Sequence, residues 1–400
     1  MKMNVAKMQK QLGMEKVPAC FDEIFEQIKD SYKVHAEEIL SEAFITKVLD
    51  SINGLVNCRE TVLGAAKEVF NDEAMALLVC LLEQWLLANE VLEVGAYTPP
   101  VGEGIAYDFL HIFPALPRIP EILADFRARK VPQEVIDATM TEFDYCVGVC
   151  EKAYNRPSFN FGRLNWINRL LHRKLIHISR FKYDLPSKCF VRVRIYQNKQ
   201  GEFCVMANNV EVHERGRMLG SVGHTDATNS YMAVVTETED KIMGHAVKDG
   251  IIQKEITELS KEDWKLCLSA EDKALRIHIP SDGNFDRDAI HQAYDEARLV
   301  MDTCYPDMPY KAFYCLSWLM SEELKQILKP TSNILGFQKD FVKTPCKSCG
   351  TPVFSFVFNM AAAIPEDLDA LPENTSLQRG VKKLYQEGGY LHEGAGFFLK

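Results

Sequence analysis

The sequence predicts an α+β protein, with a helical first domain followed by a mixed β-sheet domain flanked by helices. Three observations carry that expectation. Apolar residues recur at helical spacing through residues 20 to 155. After "YNRPSFNFGRLNW" the period shortens to two, as in "CFVRVRIYQN", "GEFCVMANNVEVH" and "SYMAVVTETE". Later, "LRIHIPSDGNFDRDAIHQAYDEARLVM", Leu275 to Met301, reads as strand, short loop and long helix. The boundary is expected near residue 155, giving a helical domain over 1–155 and a second domain over 156–400.

Each element has its own signal. Phe21, Ile24, Phe25 and Ile28 share one helical stripe. "EAMALLVCLLEQWLLANEVL" is apolar on most sides and predicts a helix at a domain centre. "HIFPALPRIPEIL" carries three prolines and predicts a turn-rich connection. Val135, Ile136, Met140, Phe143 and Val147 form the next stripe. "RLNWINRLLHRKLIHISRF" predicts one more helix, with Leu164, Ile167, Leu170 and Leu171 inward. Strands follow. "VKDGIIQKEI" places an Asp-Gly pair where a hairpin turn needs positive φ. "EDWKLCL" is expected to be a short helix, "YKAFYCLSWLM" a strand and "SEELKQIL" a short helix.

Composition excludes several classes. The chain has 400 residues and a formal net charge of −10, which disfavours non-specific nucleic-acid binding through dense Lys and Arg. A 47% hydrophobic fraction suffices for sizeable cores. The most apolar run, Ala74 to Leu82, stops at Glu83 and Gln84, well short of the ~20 residues of a membrane span. "MKMNVAKMQKQLGMEKV" lacks the apolar core of a secretory signal, so a cytoplasmic protein is expected, without nucleic-acid or membrane partners. The twelve cysteines are scattered and are expected to be reduced thiols. "CKSCG", Cys346 to Gly350, is half of a zinc knuckle; downstream only His392 is available as a further ligand, so no metal is expected.

In the strand–loop–helix segment, Leu275, Ile277 and Ile279 share one face of the strand, and Arg276 and His278 the other. Ala289, Ile290, Ala293, Tyr294, Ala297, Val300 and Met301 form the buried stripe of the helix. Asp286 is placed to cap it. The loop "SDGNF" therefore precedes a helix N-terminus, whose unpaired N–H groups favour anions. Gly283 lets a ligand approach the backbone, whereas Asp282 puts a negative charge where phosphates would sit. Neither G-x-G-x-x-G nor G-x-x-x-x-G-K-[ST] occurs.

"LRIHIPSDGNF", "KAFYCLSWLM", "LKPTSNILGFQKDF" and "LPENTSLQRGVKKLYQEGGYLHEGAGFFL" together resemble a family of bacterial acyltransferase-domain proteins. These pair a helical N-acyltransferase N-terminal domain with a GNAT-like C-terminal domain. "GRLNWINRLLHRKLIHISRFKYDL" and "IMGHAVKDGIIQKEITELSKEDWKLCL" resemble the same family, so the likeness spans most of the chain. It implies that the strand Ala274 to Pro280, the loop Ser281 to Phe285 and the helix Asp286 to Met301 cradle acyl-CoA, with Lys311 to Leu316 as the next strand. In that layout the two strands splay and pantetheine enters between them. Ser281, Gly283, Asn284 and Phe285 would then hold the co-substrate, acyl-CoA (acetyl-CoA). His278 would be the base that takes a proton from the acceptor amine, and imidazole suits that work near neutral pH. Ser317 and Trp318 would line the same gap on the substrate side.

The chain departs from the GNAT pattern in places. The usual loop signature is missing between Ser281 and Phe285; a looser echo is "RMLGSV", Arg217 to Val222. Where the family places a histidine after the cysteine of "CLSW", Leu316 stands. "HERGRMLGSVGHTDATN" is long enough for an acceptor-side lid, or for a merely mobile loop. The carboxylates of "TETEDK" read as a solvated turn, and the basic face of Arg169, Arg173, Lys174 and His177 reads as solvated or as a partner for CoA phosphate. The function implied is transfer of an acyl group, acetyl by preference, from CoA to an amine of a small molecule. The alternative is a GNAT-shaped binding or regulatory protein without catalysis.

Overall fold

The structure is a computed structural model that describes residues 3–281 and 283–400. It divides into two compact units, Met1–His177 and Ile178–Lys400.

The first unit is built from helices. The helix Glu73–Ala88 is buried on nearly every side, as its composition demands. Asp72 starts it by accepting hydrogen bonds from Ala74 N at 2.8 Å and Met75 N at 3.1 Å. Two expectations are corrected here. "HIFPALPR" is a 3-10 helix, Leu110–Arg118, that runs into the helix Ile119–Ala128. Pro114 and Pro117 sit inside the 3-10 segment and Pro120 opens the next helix, where a missing N–H costs nothing. The helix Phe161–Leu171 is also shorter than its apolar pattern suggests. Arg173 takes a positive φ of 56° just beyond it, and "LIHI" continues as a strand.

The strands are β1 Leu175–Ile178, β2 Phe181–Lys188, β3 Val193–Asn198, β4 Phe203–Ala207, β5 Val210–Val212, β6 Tyr231–Ala233 and β7 Thr236–Glu237. They continue with β8 Lys241–Lys248, β9 Ile251–Ser260, β10 Trp264–Leu268, β11 Lys273–His278, β12 Ala312–Ser317, β13 Val342–Thr344 and β14 Gly394–Leu399. One six-stranded sheet has the order β1-β2-β11-β12-β14-β13. A second runs β10-β3-β4-β8-β7, with β9 beside β8, and β5 and β6 form a separate two-stranded sheet. β10 corrects the helix expected for "EDWKLCL". Its residues pair antiparallel with β3, and tertiary pairing overrides a short local propensity. The Asp-Gly hairpin is as expected: Asp249 and Gly250 both take positive φ, 50° and 77°, between β8 and β9.

The two faces of the first sheet bury different partners. Tyr294, from the helix Arg287–Cys304, packs its ring 5.9 Å from Phe313 and 4.6 Å from Phe398. On the other face Ala274, Ala312, Tyr314, Ala395 and Phe397 form one core with Phe190, Val193, Ile195, Val205 and Leu268. The small residues on β11, β12 and β14 leave room for the aromatic rings, which meet edge to face.

Candidate functional site

The first sheet parts at one point. β11 and β12 are parallel neighbours, paired from Ala274↔Ala312 to Ile277↔Cys315. Beyond that pair each strand continues with its other partner. His278 pairs with Lys182 of β2, while Leu316 and Ser317 pair with Ala395 and Gly394 of β14. A break in pairing therefore opens between the C-terminal ends of two central strands.

His278 stands at the mouth of this gap, on the face opposite the buried Leu275 and Ile277. Its Nε2 lies 2.8 Å from Oδ2 of Asp184 on β2, and both side chains are mostly buried. The carboxylate lies two positions along β2 from Lys182, the register partner of His278, and on the same face, because Asp184 pairs with Arg276. Such a contact orients an imidazole.

The loop after β11 leads directly to the helix Arg287–Cys304. Asp286 caps that helix by accepting from Ala289 N at 2.8 Å. Asn284 is tied to the same cap: its Nδ2 donates to Asp286 Oδ2, and its Oδ1 accepts from Asp286 N at 3.2 Å. Gly283 has φ of 82°, and a Cβ there would meet the Arg180 side chain at 3.8 Å. Arg180 also donates to the Pro280 carbonyl at 3.0 Å and lies 5.3 Å from the Phe285 ring centroid. The loop thus carries a guanidinium at its side, a positive charge that the linear sequence does not show. Phe285 is anchored against Phe337 and Phe181, 5.3 and 6.3 Å between ring centroids, and Ser281 is exposed. Asp282, read above as a charge unfavourable to phosphate, lies outside the described residues.

On the β12 side, Ser317 caps a 3-10 turn, accepting from Leu319 N at 3.2 Å. Trp318 stacks on Phe356, ring centroids 6.3 Å apart and 21° between planes. Leu316 packs against the inter-sheet core. His278 and Ser317 stand on the two strand ends bordering the gap, and the loop Ser281–Phe285 continues from the first of them.

A second feature borders β14, at the same end of the sheet. A small surface recess is lined by Arg217, Glu322, Glu323, Lys343, His392 and Gly394 among others. Glu323 accepts from Arg217 at 2.6 Å, from His392 Nδ1 at 2.9 Å and from Ser321 Oγ at 2.7 Å. Burial pushes the Glu323 carboxyl up, but these donors outweigh it and hold it down at about 2. Burial pushes Lys343 down, offset in part by Glu322 at 3.3 Å. Residue-by-residue reading did not find this cluster, because positions 217, 323 and 392 are far apart in the chain. Its one local signal was the glycine-rich stretch after His213, whose Val222 carbonyl lies 3.2 Å from His392 Nε2. In the "RMLGSV" echo, Arg217 pairs with Glu323 and so serves this cleft.

The remaining sequence candidates have other partners. Cys346 donates to the Glu393 carbonyl and Cys349 to its carboxylate, both at 3.1 Å. Among the described residues no group of three or more His, Cys, Asp or Glu is arranged to hold a metal ion. All twelve cysteines carry free thiols. Glu237 pairs with Arg194 and Lys261, both at 2.8 Å. Lys174 pairs with Glu90, and Arg173 lies 3.5 Å from Glu121. No helix among the described residues is long and apolar enough to cross a membrane.

The fold has solved relatives. An acyltransferase variant with tryptophan changed to alanine, in complex with octanoyl-CoA, is similar with a TM-score of 0.64 at 16% identity, over 99% of both chains. An acyltransferase in complex with decanoyl-CoA and teicoplanin is similar with a TM-score of 0.62 at 17% identity, again over 99% of both. A third, in complex with CoA and 10C-teicoplanin, has a TM-score of 0.63 at 16% identity and the same coverage. At these identities the likeness is one of fold. No curated protein matches the chain. Residues 159–398, more than half of the sequence, match the family described as GNAT-like C-terminal domain, and the chain belongs to that family.

Proposed function

We propose that this protein is an acyl-CoA-dependent N-acyltransferase acting on an amine of a small molecule. The observation that carries the proposal is the parting of β11 and β12 after Ile277↔Cys315, with His278 at its mouth and a helix N-terminus next in the chain. Pantetheine would enter between the two strand ends. The pyrophosphate would meet the backbone of Gly283 to Phe285 and the first turn of the helix, with Arg180 alongside. The similar structures that hold acyl-CoA, and teicoplanin as a further ligand, support both substrate classes.

The reaction is direct. The amine lone pair attacks the thioester carbonyl carbon, a C–N bond forms, and the C–S bond breaks. The departing CoA sulfur takes up a proton. His278 accepts the proton released by the amine, and Asp184 stabilises the resulting imidazolium. Most of the acceleration would come from holding donor and acceptor together, with a backbone N–H polarising the carbonyl. The test is CoA release in the presence of a panel of primary amines, with the acylated amine identified by mass spectrometry. Release that depends on the amine supports the proposal. Thioester binding without turnover on any amine favours the non-catalytic binding protein.

A further inference from the structure

The end of β12 leads onto an apolar surface that the proposed reaction has not used. Val353 to Pro365 reads "VFSFVFNMAAAIP", thirteen residues without a charge in a chain that is 26% charged. At the chain average about three charges would fall there, so this stretch is not an ordinary solvated face. Phe356 is 53% exposed, Met360 43% and Ile364 37%. Ala361, Ala362 and Ala363 between them are exposed as well. The segment is anchored from beneath. Val353, Phe354 and Phe358 are buried with Leu324, Val381 and Tyr385. An anchored, exposed apolar patch of this kind marks a binding surface more often than chance.

Its place suggests the occupant. Trp318, whose ring stacks on Phe356, is three residues beyond Cys315, the last β12 residue paired with β11. At about 3.3–3.6 Å per extended residue, the patch begins roughly 10 Å from the mouth of the gap. The other border of these strand ends is the polar cleft of Arg217, Glu323 and His392, which suits a polar acceptor and repels a hydrocarbon. An acyl chain leaving the strand ends would therefore meet an apolar surface on the Trp318 side and a polar one on the other.

We infer that Trp318, Phe356, Met360 and the alanines after it form a track for the acyl chain of the donor, and that the donor is a medium-chain acyl-CoA, not acetyl-CoA. The inference rests on the acyl-CoA reading above and adds the chain length and the residues that select it. Each methylene laid on the track strengthens binding by about fourfold, the factor expected for one buried CH₂.

The experiment measures Kd by calorimetry for CoA and for acetyl-, butyryl-, hexanoyl-, octanoyl- and decanoyl-CoA. It compares the wild type, the double variant Phe356→Ser/Met360→Ser, and Leu299→Ser. Leu299 is 63% exposed on the helix Arg287–Cys304 and controls for loss of an unrelated surface hydrophobe. Both substituted positions on the track are exposed, so folding should survive, and circular dichroism checks it. The expected result is a steep rise of affinity with chain length in the wild type and in Leu299→Ser, and a nearly flat series in the double variant with CoA itself bound equally well. Parallel series in all three proteins would overturn the track, as would a wild type indifferent to chain length. A dimer in gel filtration that the double variant dissolves, with an unchanged chain-length series, would assign the patch to a second copy of the chain instead. If even CoA fails to bind, the acyl-CoA reading falls together with the track, an outcome distinct from any of these.

Discussion

His278 carries the chemical part of the account. It meets Asp184 at 2.8 Å while standing where β11 leaves β12. His278→Ala should lower turnover by about 10²–10⁴-fold, the scale of general-base loss. Acyl-CoA affinity should change little, because a base facing the amine acts in the chemical step. Steady-state kinetics alongside calorimetry checks both, and unchanged turnover removes His278 from the mechanism. Glu323 makes a different statement. Its folded pKa of about 2 lies below the ordinary 4.5, so its carboxylate stabilises the fold fully above about pH 4.5. That stability fades as pH falls toward 2. A shift of this size corresponds to roughly 3 kcal/mol. Glu323→Gln should therefore cost a few kcal/mol in urea unfolding at pH 7, and more than half of that gap should close by pH 3. An equal gap at both pH values contradicts the assignment. At this scale the sequence was legible along single strands only. Alternation placed His278 opposite Leu275 and Ile277, but Asp184, Arg180 and Glu323 reached their partners through sheet pairing and loop return, which no local spacing encodes.

Elements explain why the gap stays open. β14 holds the far side of β12, and Gly394 begins it opposite Ser317. A Cβ at Gly394 would fall 2.1 Å from the Met320 carbonyl oxygen, so only glycine allows the two segments this close. Gly394→Ala should destabilise the protein by roughly 2 kcal/mol or more, because the obstacle is backbone and cannot rotate away. Gly148 makes the contrast: it lies in the helix Glu142–Tyr154 with nothing within 4 Å of its would-be Cβ. Gly148→Ala should raise stability by about 0.5–1 kcal/mol through helix propensity. Thermal denaturation of the two variants tests the pair, and a neutral Gly394→Ala would show that this end of β14 is loosely held. Elements with a strong period were readable in advance, as with the helix Glu73–Ala88 and the Asp-Gly hairpin of β8 and β9. Short or interrupted ones were not. Trp264–Leu268 became a strand because β3 offered it an edge, and the prolines of "HIFPALPR" ended up inside a 3-10 helix instead of breaking one.

For the whole molecule, sequence and structure agree on class: helices first, then a mixed sheet of the GNAT-like C-terminal domain family. The family likeness alone says little about chemistry, since one fold hosts many activities. The account therefore stands on the gap between β11 and β12 as a thioester site. The most direct measurement is thermal unfolding of the intact protein with CoA, acetyl-CoA, octanoyl-CoA and decanoyl-CoA at up to millimolar concentration. A ligand at one hundred times its Kd stabilises the folded state by about 2.7 kcal/mol, enough to raise Tm by several degrees. The account predicts a concentration-dependent rise with CoA and a larger one with the longer thioesters. No rise with any of the four would contradict it.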